Sequence, residues 1–220
     1  MPARVNDITN PSYELDSVGP IISYKRTTGK TATVPARGSA VLTGKLATWY
    51  GFTNVTGDAS THATDSDIDI RFPAVPAVPG ARHWFSAYLL HGAPSTTTAK
   101  FQMMISWRDI NDVEIGNPAG TTRVAVPTSA FLRQAGGAIA PAGTDHAYGE
   151  IWLSGITDAT SRSFRWDGVK FERNEALSVP PYFDGDTVGA AWTGTAHAST
   201  SSLMTPGPAD ARFLPFFTEG

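Results

Sequence analysis

Apolar and polar residues alternate along most of this chain, with a period of two rather than the 3.6 of a helix. In DIDIRF (67–72), Ile68, Ile70 and Phe72 share one face, and Asp67, Asp69 and Arg71 share the other. KFQMMISW (100–107) repeats the pattern with Phe101, Met103, Ile105 and Trp107. Successive side chains of a strand point to opposite faces, so both segments read as strands half-buried against a core. HWFSAYLL (83–90) is apolar on both faces, as a central strand would be. HAYGEIWLS (146–154) and SFRWDGVKFE (163–172) are further strands, and PIISYKR (20–26), SAVLT (39–43) and LATWYGF (46–52) are earlier ones. Turn signals separate them: VPG (78–80), GAPS (92–95), GNPAG (116–120) and PAG (141–143). Many short strands at this spacing, with no helical stripe, predict an all-β fold: a jelly-roll β-sandwich.

The alternation stops after about Arg173. Pro180 and Pro181 end the strand pattern, because proline cannot donate to a ladder. The chain therefore divides into a sandwich over 1–175 and an irregular C-terminal arm over 176–220. So long a stretch without pattern is either disordered or held by another surface. Its aromatics, Tyr182, Phe183, Trp192, Phe213, Phe216 and Phe217, argue against plain disorder. Spaced along Gly, Ala, Ser and Thr, they read as anchors for docking on the chain's own domain or on a neighbouring subunit. Asp184 and Asp186 flank Gly185 in a tight acidic turn.

Composition narrows the function classes. Charged residues are only 17% of the chain, with 21 Gly and 16 Pro, which suits an all-β protein or an assembly component. A net charge of −3 and no basic patch disfavour nucleic acid. No apolar run approaches the length of a membrane-spanning helix, and the first ten residues lack a signal-peptide core. Cysteine is absent, which removes disulfides, cysteine zinc sites and cysteine nucleophiles.

Candidate chemistry is sparse. The five histidines form no H-E-x-x-H motif, and no G-x-S-x-G or phosphate-binding glycine loop occurs. The acids of DSDIDI (65–70) read as a solvated strand face that protects an edge from pairing. Exposed aromatic planes can stack on the apolar face of a sugar ring. Trp84 and Tyr88 share one strand face, and Tyr148 and Trp152 share another. Core packing is the competing use for each ring. Asp167 stands in phase with Val169 and Phe171, which turns a carboxylate toward the core. Such a group needs a partner: a hard cation, backbone N–H groups, or a cation such as Arg165.

NPSYE (10–14) and a last core strand reading FRWDGVKFE (164–172) resemble the ends of carbohydrate-binding-module jelly rolls of the family 4/9 type. Joined to the following PYFDGD…W.GTAHASTS, they resemble minor tail proteins of tailed phages that infect actinobacteria; the resemblance runs from Asn10 to about Ser202. It implies a virion structural protein at the tail tip, made in the host cytoplasm, with other phage tail proteins as partners. It further implies a symmetric homo-oligomer, such as a homotrimer, and contact with a host-surface glycan. Similar jelly rolls bind a structural Ca2+ through residues matching Glu14 and Asp167. The C-terminal motif, with Tyr182, Phe183, Asp184, Trp192 and His197, matches the assembly arm. Neither catalysis nor membrane insertion is expected. A carbohydrate-binding adhesion module is the second reading, and a tail-associated glycan hydrolase the third.

Overall fold

The computed structural model describes residues 4–8, 23–26, 31–32, 36–39, 42, 50–56, 68–91, 99–125, 129–154, 162–196 and 199–203. The strands are β1 (Arg4–Asn6), β2 (Ser23–Arg26), β3 (Thr31–Ala32), β4 (Ala36–Gly38), β5 (Tyr50–Thr56), β6 (Ile68–Arg71), β7 (Val75–Pro76) and β8 (Arg82–His91). They continue with β9 (Lys100–Arg108), β10 (Ala119–Gly120), β11 (Val124–Ala125), β12 (Leu132–Ile139), β13 (His146–Ser154), β14 (Arg162–Arg173), β15 (Ala190–Trp192) and β16 (Ser201–Leu203). No helix occurs among the described residues.

Two antiparallel sheets face each other. Sheet I has the order β10-β9-β13-β6-β2, with β11 on β9 and β7 on β13; sheet II has the order β12-β8-β14-β5-β3, with β4 on β5. Period-two patterning gives each sheet an inner apolar face, and burial of those faces drives the sandwich together. The predicted phases hold: Ile68, Ile70, Phe72, Phe101, Met103, Ile105 and Trp107 are all buried in one core with Phe85, Trp166 and Phe171. Gly149 lets the sheets close up, because a Cβ there would stand 2.4 Å from the Phe85 ring. Gly80 and Gly143, in two of the predicted turns, take the positive φ that favours glycine.

In two places the structure departs from the sequence reading. First, the in-phase reading of Asp167 with Val169 and Phe171 is corrected by a β-bulge. Asp167 pairs with Tyr88 and Lys170 pairs with Ser86, so one extra residue is inserted around Gly168, whose φ is 54°. Val169 and Phe171 stay in the core, while Asp167 falls on the outer side of sheet II with Lys170 and Glu172. Second, the arm contains strands. β15 and β16 pair with each other, and β16 pairs with β1, placing Leu203 opposite Arg4 in a three-stranded sheet III.

Candidate functional site

The sandwich has two outer faces, and the chain treats them differently. On sheet II, β8 turns Trp84, Ser86 and Tyr88 outward, opposite Glu172, Lys170 and Asp167 of β14. Residues 176–183 lie over this face. The Lys170 ammonium is buried and donates to Glu172 Oε1 at 2.7 Å, to the Pro181 carbonyl at 2.7 Å and to the Pro180 carbonyl at 3.5 Å. Arg4 reaches the same carboxylate at 2.9 Å and also donates to the Pro181 carbonyl at 2.9 Å. Phe183 is fully buried, with the Arg4 guanidinium 4.9 Å and the Lys170 ammonium 5.2 Å from its ring centre. Asn6, also fully buried, ties β1 to β14 and to the arm. Its Nδ2 donates to the Val169 and Phe183 carbonyls, and its Oδ1 accepts from the N–H groups of Ile8 and Phe171.

The arm is also stitched to itself. Tyr182 donates to Asp184 at 3.1 Å, Trp192 donates to Asp186 at 3.0 Å, and the Trp192 ring lies where a Cβ on Gly185 would be. Tyr182, Phe183, Asp184 and Trp192 therefore make contacts within their own chain, while His197 lies outside the described residues. The same strap accounts for two of the four candidate sugar platforms. Trp84 is buried and donates its indole N–H to the Ala176 carbonyl at 3.2 Å, and Tyr88 meets Tyr182 edge-on at 6.0 Å.

Sheet I is organised otherwise. β13 carries His146, Tyr148, Glu150 and Trp152 on its outer side, opposite Arg108, Ser106, Met104 and Gln102 of β9, with Arg71 and Asp69 of β6 on the far flank. Glu150 is buried between the two rings. Its Oε1 accepts from Arg71 Nε at 2.8 Å and its Oε2 from the Trp152 indole at 2.7 Å. Tyr148 is half-buried, and its ring is flanked by the guanidinium groups of Arg71 at 4.8 Å and Arg108 at 6.0 Å. Burial, followed by the nearby Asp112 carboxylate, pushes its pKa up. A hydrogen bond to His146, at 3.2 Å, holds Asp112 below the usual carboxylate range. Trp152 is half-exposed, and among the described residues no ring or cation stacks on it.

The four aromatic candidates thus fall on opposite faces of the sandwich and form no single site. Tyr148 and Trp152 share the outer face of sheet I, and Trp152 is a half-exposed ring on which no ring or cation of the described residues stacks. Glu150 was legible in the sequence, standing in phase between them. Arg71 and Asp112 were not, because strand pairing and a turn bring them from distant positions. Asp167 is fully buried, and its Oδ1 accepts the Gly168 N–H at 2.7 Å. Its expected co-ligand Glu14 lies outside the described residues, and among those described no three His, Asp or Glu side chains gather as a metal site.

No family model and no curated protein matches this chain. Solved structures do. The enzymatically active domain of tailspike protein 4 from bacteriophage CBA120 aligns with a TM-score of 0.53 at 13% identity, over 77% of this chain and 21% of that one. The chain thus spans about a fifth of that tailspike domain's length. The CBM22-1 xylan-binding domain of Paenibacillus barcinonensis Xyn10C aligns at a TM-score of 0.48 and 14% identity, over 80% of this chain and all of that one. A carbohydrate-binding module of the β-sandwich superfamily aligns at 0.48 and 15%, over 76% of this chain and 62% of that one. At these identities the likeness is one of fold.

Proposed function

We propose that this protein is a non-catalytic structural component of a phage tail tip, a minor tail protein whose sheet I contacts host-surface glycan. The observation that carries the glycan part is the asymmetry of the two faces. The strap buries Trp84 and packs Tyr182 against Tyr88 on sheet II, while sheet I keeps Trp152 half-exposed beside a fixed set of charged groups. An indole plane stacks on the C–H face of a sugar, and Arg71, Glu150 and Asp69 set hydrogen-bonding directions around it. The phage context rests on the sequence motifs, and the fold likeness to a tailspike domain is consistent with it. Binding is favoured over hydrolysis because Glu150 accepts a donor on each oxygen, from Arg71 and Trp152, so it is not poised to deliver a proton to a leaving group. The partners in this reading are other tail proteins and further copies of the chain in a closed, symmetric assembly.

Binding of the whole chain to purified host cell-wall polysaccharide tests the glycan part. Trp152→Ala should weaken binding about tenfold, the equivalent of about 1.4 kcal/mol for an aromatic stacking contact. Equal retention of wild type and variant would remove sheet I as the binding face. Hydrolysis of the polysaccharide, lost in Glu150→Gln, would replace the binding reading with an enzymatic one.

A further inference from the structure

One edge of the sandwich is built unlike the others. A sheet avoids pairing with foreign chains by ending in short or charged strands. Sheet I ends on one side at β9, where β10 and β11 pair with it, and on the other at β2, a four-residue strand containing Lys25 and Arg26. Sheet II ends on its far side at β3 and β4, two and three residues long. Its near edge is β12, eight residues long, which pairs with β8 on one side and, among the described residues, with no strand on the other. None of its residues is buried, and Leu132 and Ile139 at its two ends are 54% and 56% exposed. Its one charge, Arg133, is turned back over the sheet and donates to Ser86 Oγ on β8 at 2.9 Å. Its two glycines are required by packing. A Cβ on Gly137 would stand 2.7 Å from the Trp84 ring, and one on Gly136 would stand 3.0 Å from Thr121. The outcome is a thin, nearly uncharged strand whose backbone N–H and C=O groups line an open edge.

Another extended strand is what satisfies such groups. The order of sizes in LRQAGGAI indicates which strand. Large side chains come first, Leu132, Arg133 and Gln134, and small residues follow, Gly136, Gly137 and Ala138. We propose that β12 pairs antiparallel with β12 of a second copy of the chain, about a two-fold axis through Ala135. This register sets Leu132 opposite Ala138, Arg133 opposite Gly137 and Gln134 opposite Gly136. Each large side chain faces a small one, and the two arginines stay apart. Opposed residues also lie on the same side of the sheet, as the pleat demands; a slip by one residue would set inner positions against outer ones.

The interface is isologous, the same strand on both copies. An antiparallel two-fold axis stands perpendicular to the sheet, so the outer faces of both sheets I point the same way. The pairing does not depend on the glycan reading. Where that reading holds, two Trp152 rings meet one surface and binding gains from bivalence.

Sedimentation equilibrium of the whole chain, without glycan, tests the pairing. Wild type should reach twice the chain mass. Ala135→Lys sets two ammonium groups face to face on the axis and should weaken association about tenfold, with an unchanged melting transition. The chain has no cysteine, so Ala135→Cys introduces a single thiol. Directly opposed Cβ atoms stand about 4.5–5.5 Å apart, so a short bismaleimide should link two copies of that variant. Val188→Cys, at a position 98% exposed in the turn before β15, should stay unlinked. A monomeric wild type, a closed assembly with an odd number of copies, or association untouched by Ala135→Lys overturns the proposal. Equal cross-linking at 135 and 188 does the same, and this comparison decides alone if Ala135→Lys fails to fold. Any of these failures leaves the glycan reading standing.

Discussion

Charged side chains that fold into this protein's interior do so with partners in hand. Glu172 is fully buried and draws both Arg4 and Lys170. Removing water from an ion costs several kcal/mol, so each partner is obligatory once the others are in place. Lys170 spends its three protons on one carboxylate and two proline carbonyls, and burial still holds its pKa below the ordinary lysine range, with Glu172 opposing. Asp167 sits on the same side of sheet II, fully buried, with the Gly168 N–H on one oxygen. We propose, on the sequence resemblance, that Asp167 shares a structural Ca2+ with Glu14, an ion that would bind the folded state alone. Chelation should then lower the melting temperature of the wild type by several degrees, and Asp167→Ala should be indifferent to chelator. A wild type that melts identically with and without chelator takes the metal out of this account.

At the scale of elements, β1 and the strap act as one unit. Asn6 bridges β1, β14 and Phe183, and the Asp7 N–H donates to the Phe171 carbonyl at 2.8 Å. Burial, then the charge of Glu172, raises the Asp7 pKa from 3.8 to about 7, with Arg173 opposing. The sign follows from proton linkage. Between these two values the native state keeps a proton that the unfolded chain has released. The stability Asp7 contributes is therefore full below pH 3.8 and is lost as pH rises through about 7. Melting temperature should fall as pH is raised across that window, and Asp7→Asn should flatten the fall. A variant with the same slope as wild type would assign the dependence to other groups.

The whole molecule is a sandwich with a strap, and the strap decides which face is available. Deleting 176–220 removes Phe183 and the two carbonyls that Lys170 needs. The loss of a buried phenylalanine alone costs about 3–5 kcal/mol, or on the order of 10 °C in a chain of this size. A chain ending at Leu203 keeps β15, β16 and the contacts of Asn6 and Lys170 with the strap. The residues beyond it, with Phe213, Phe216 and Phe217, are then the part whose removal tests assembly with tail partners. A chain ending at 175 that melts with the full protein would show that the strap contributes nothing to the fold.

Much of this architecture was legible in the chain itself. Period-two alternation marked β6, β9 and β13 and assigned the core faces of β6 and β9, because side-chain direction in a strand is a local property. It also placed Tyr148 and Trp152 on one face. Where it failed, the cause was non-local or a single inserted residue. The bulge at Gly168 moved Asp167 out of phase with Phe171, which no count of positions could reveal. The arm read as patternless because its strands are three residues long and find their partner in β1, nearly the whole chain away. Sequence alone determined that the protein is all-β, which faces are apolar, and that the C-terminal aromatics needed a surface to lie on. Only tertiary structure decided that for Tyr182 and Phe183 this surface is the chain's own sheet II. Pairing and burial couple residues that are distant in sequence, and those couplings cover Trp84 and Tyr88 while leaving Trp152 open.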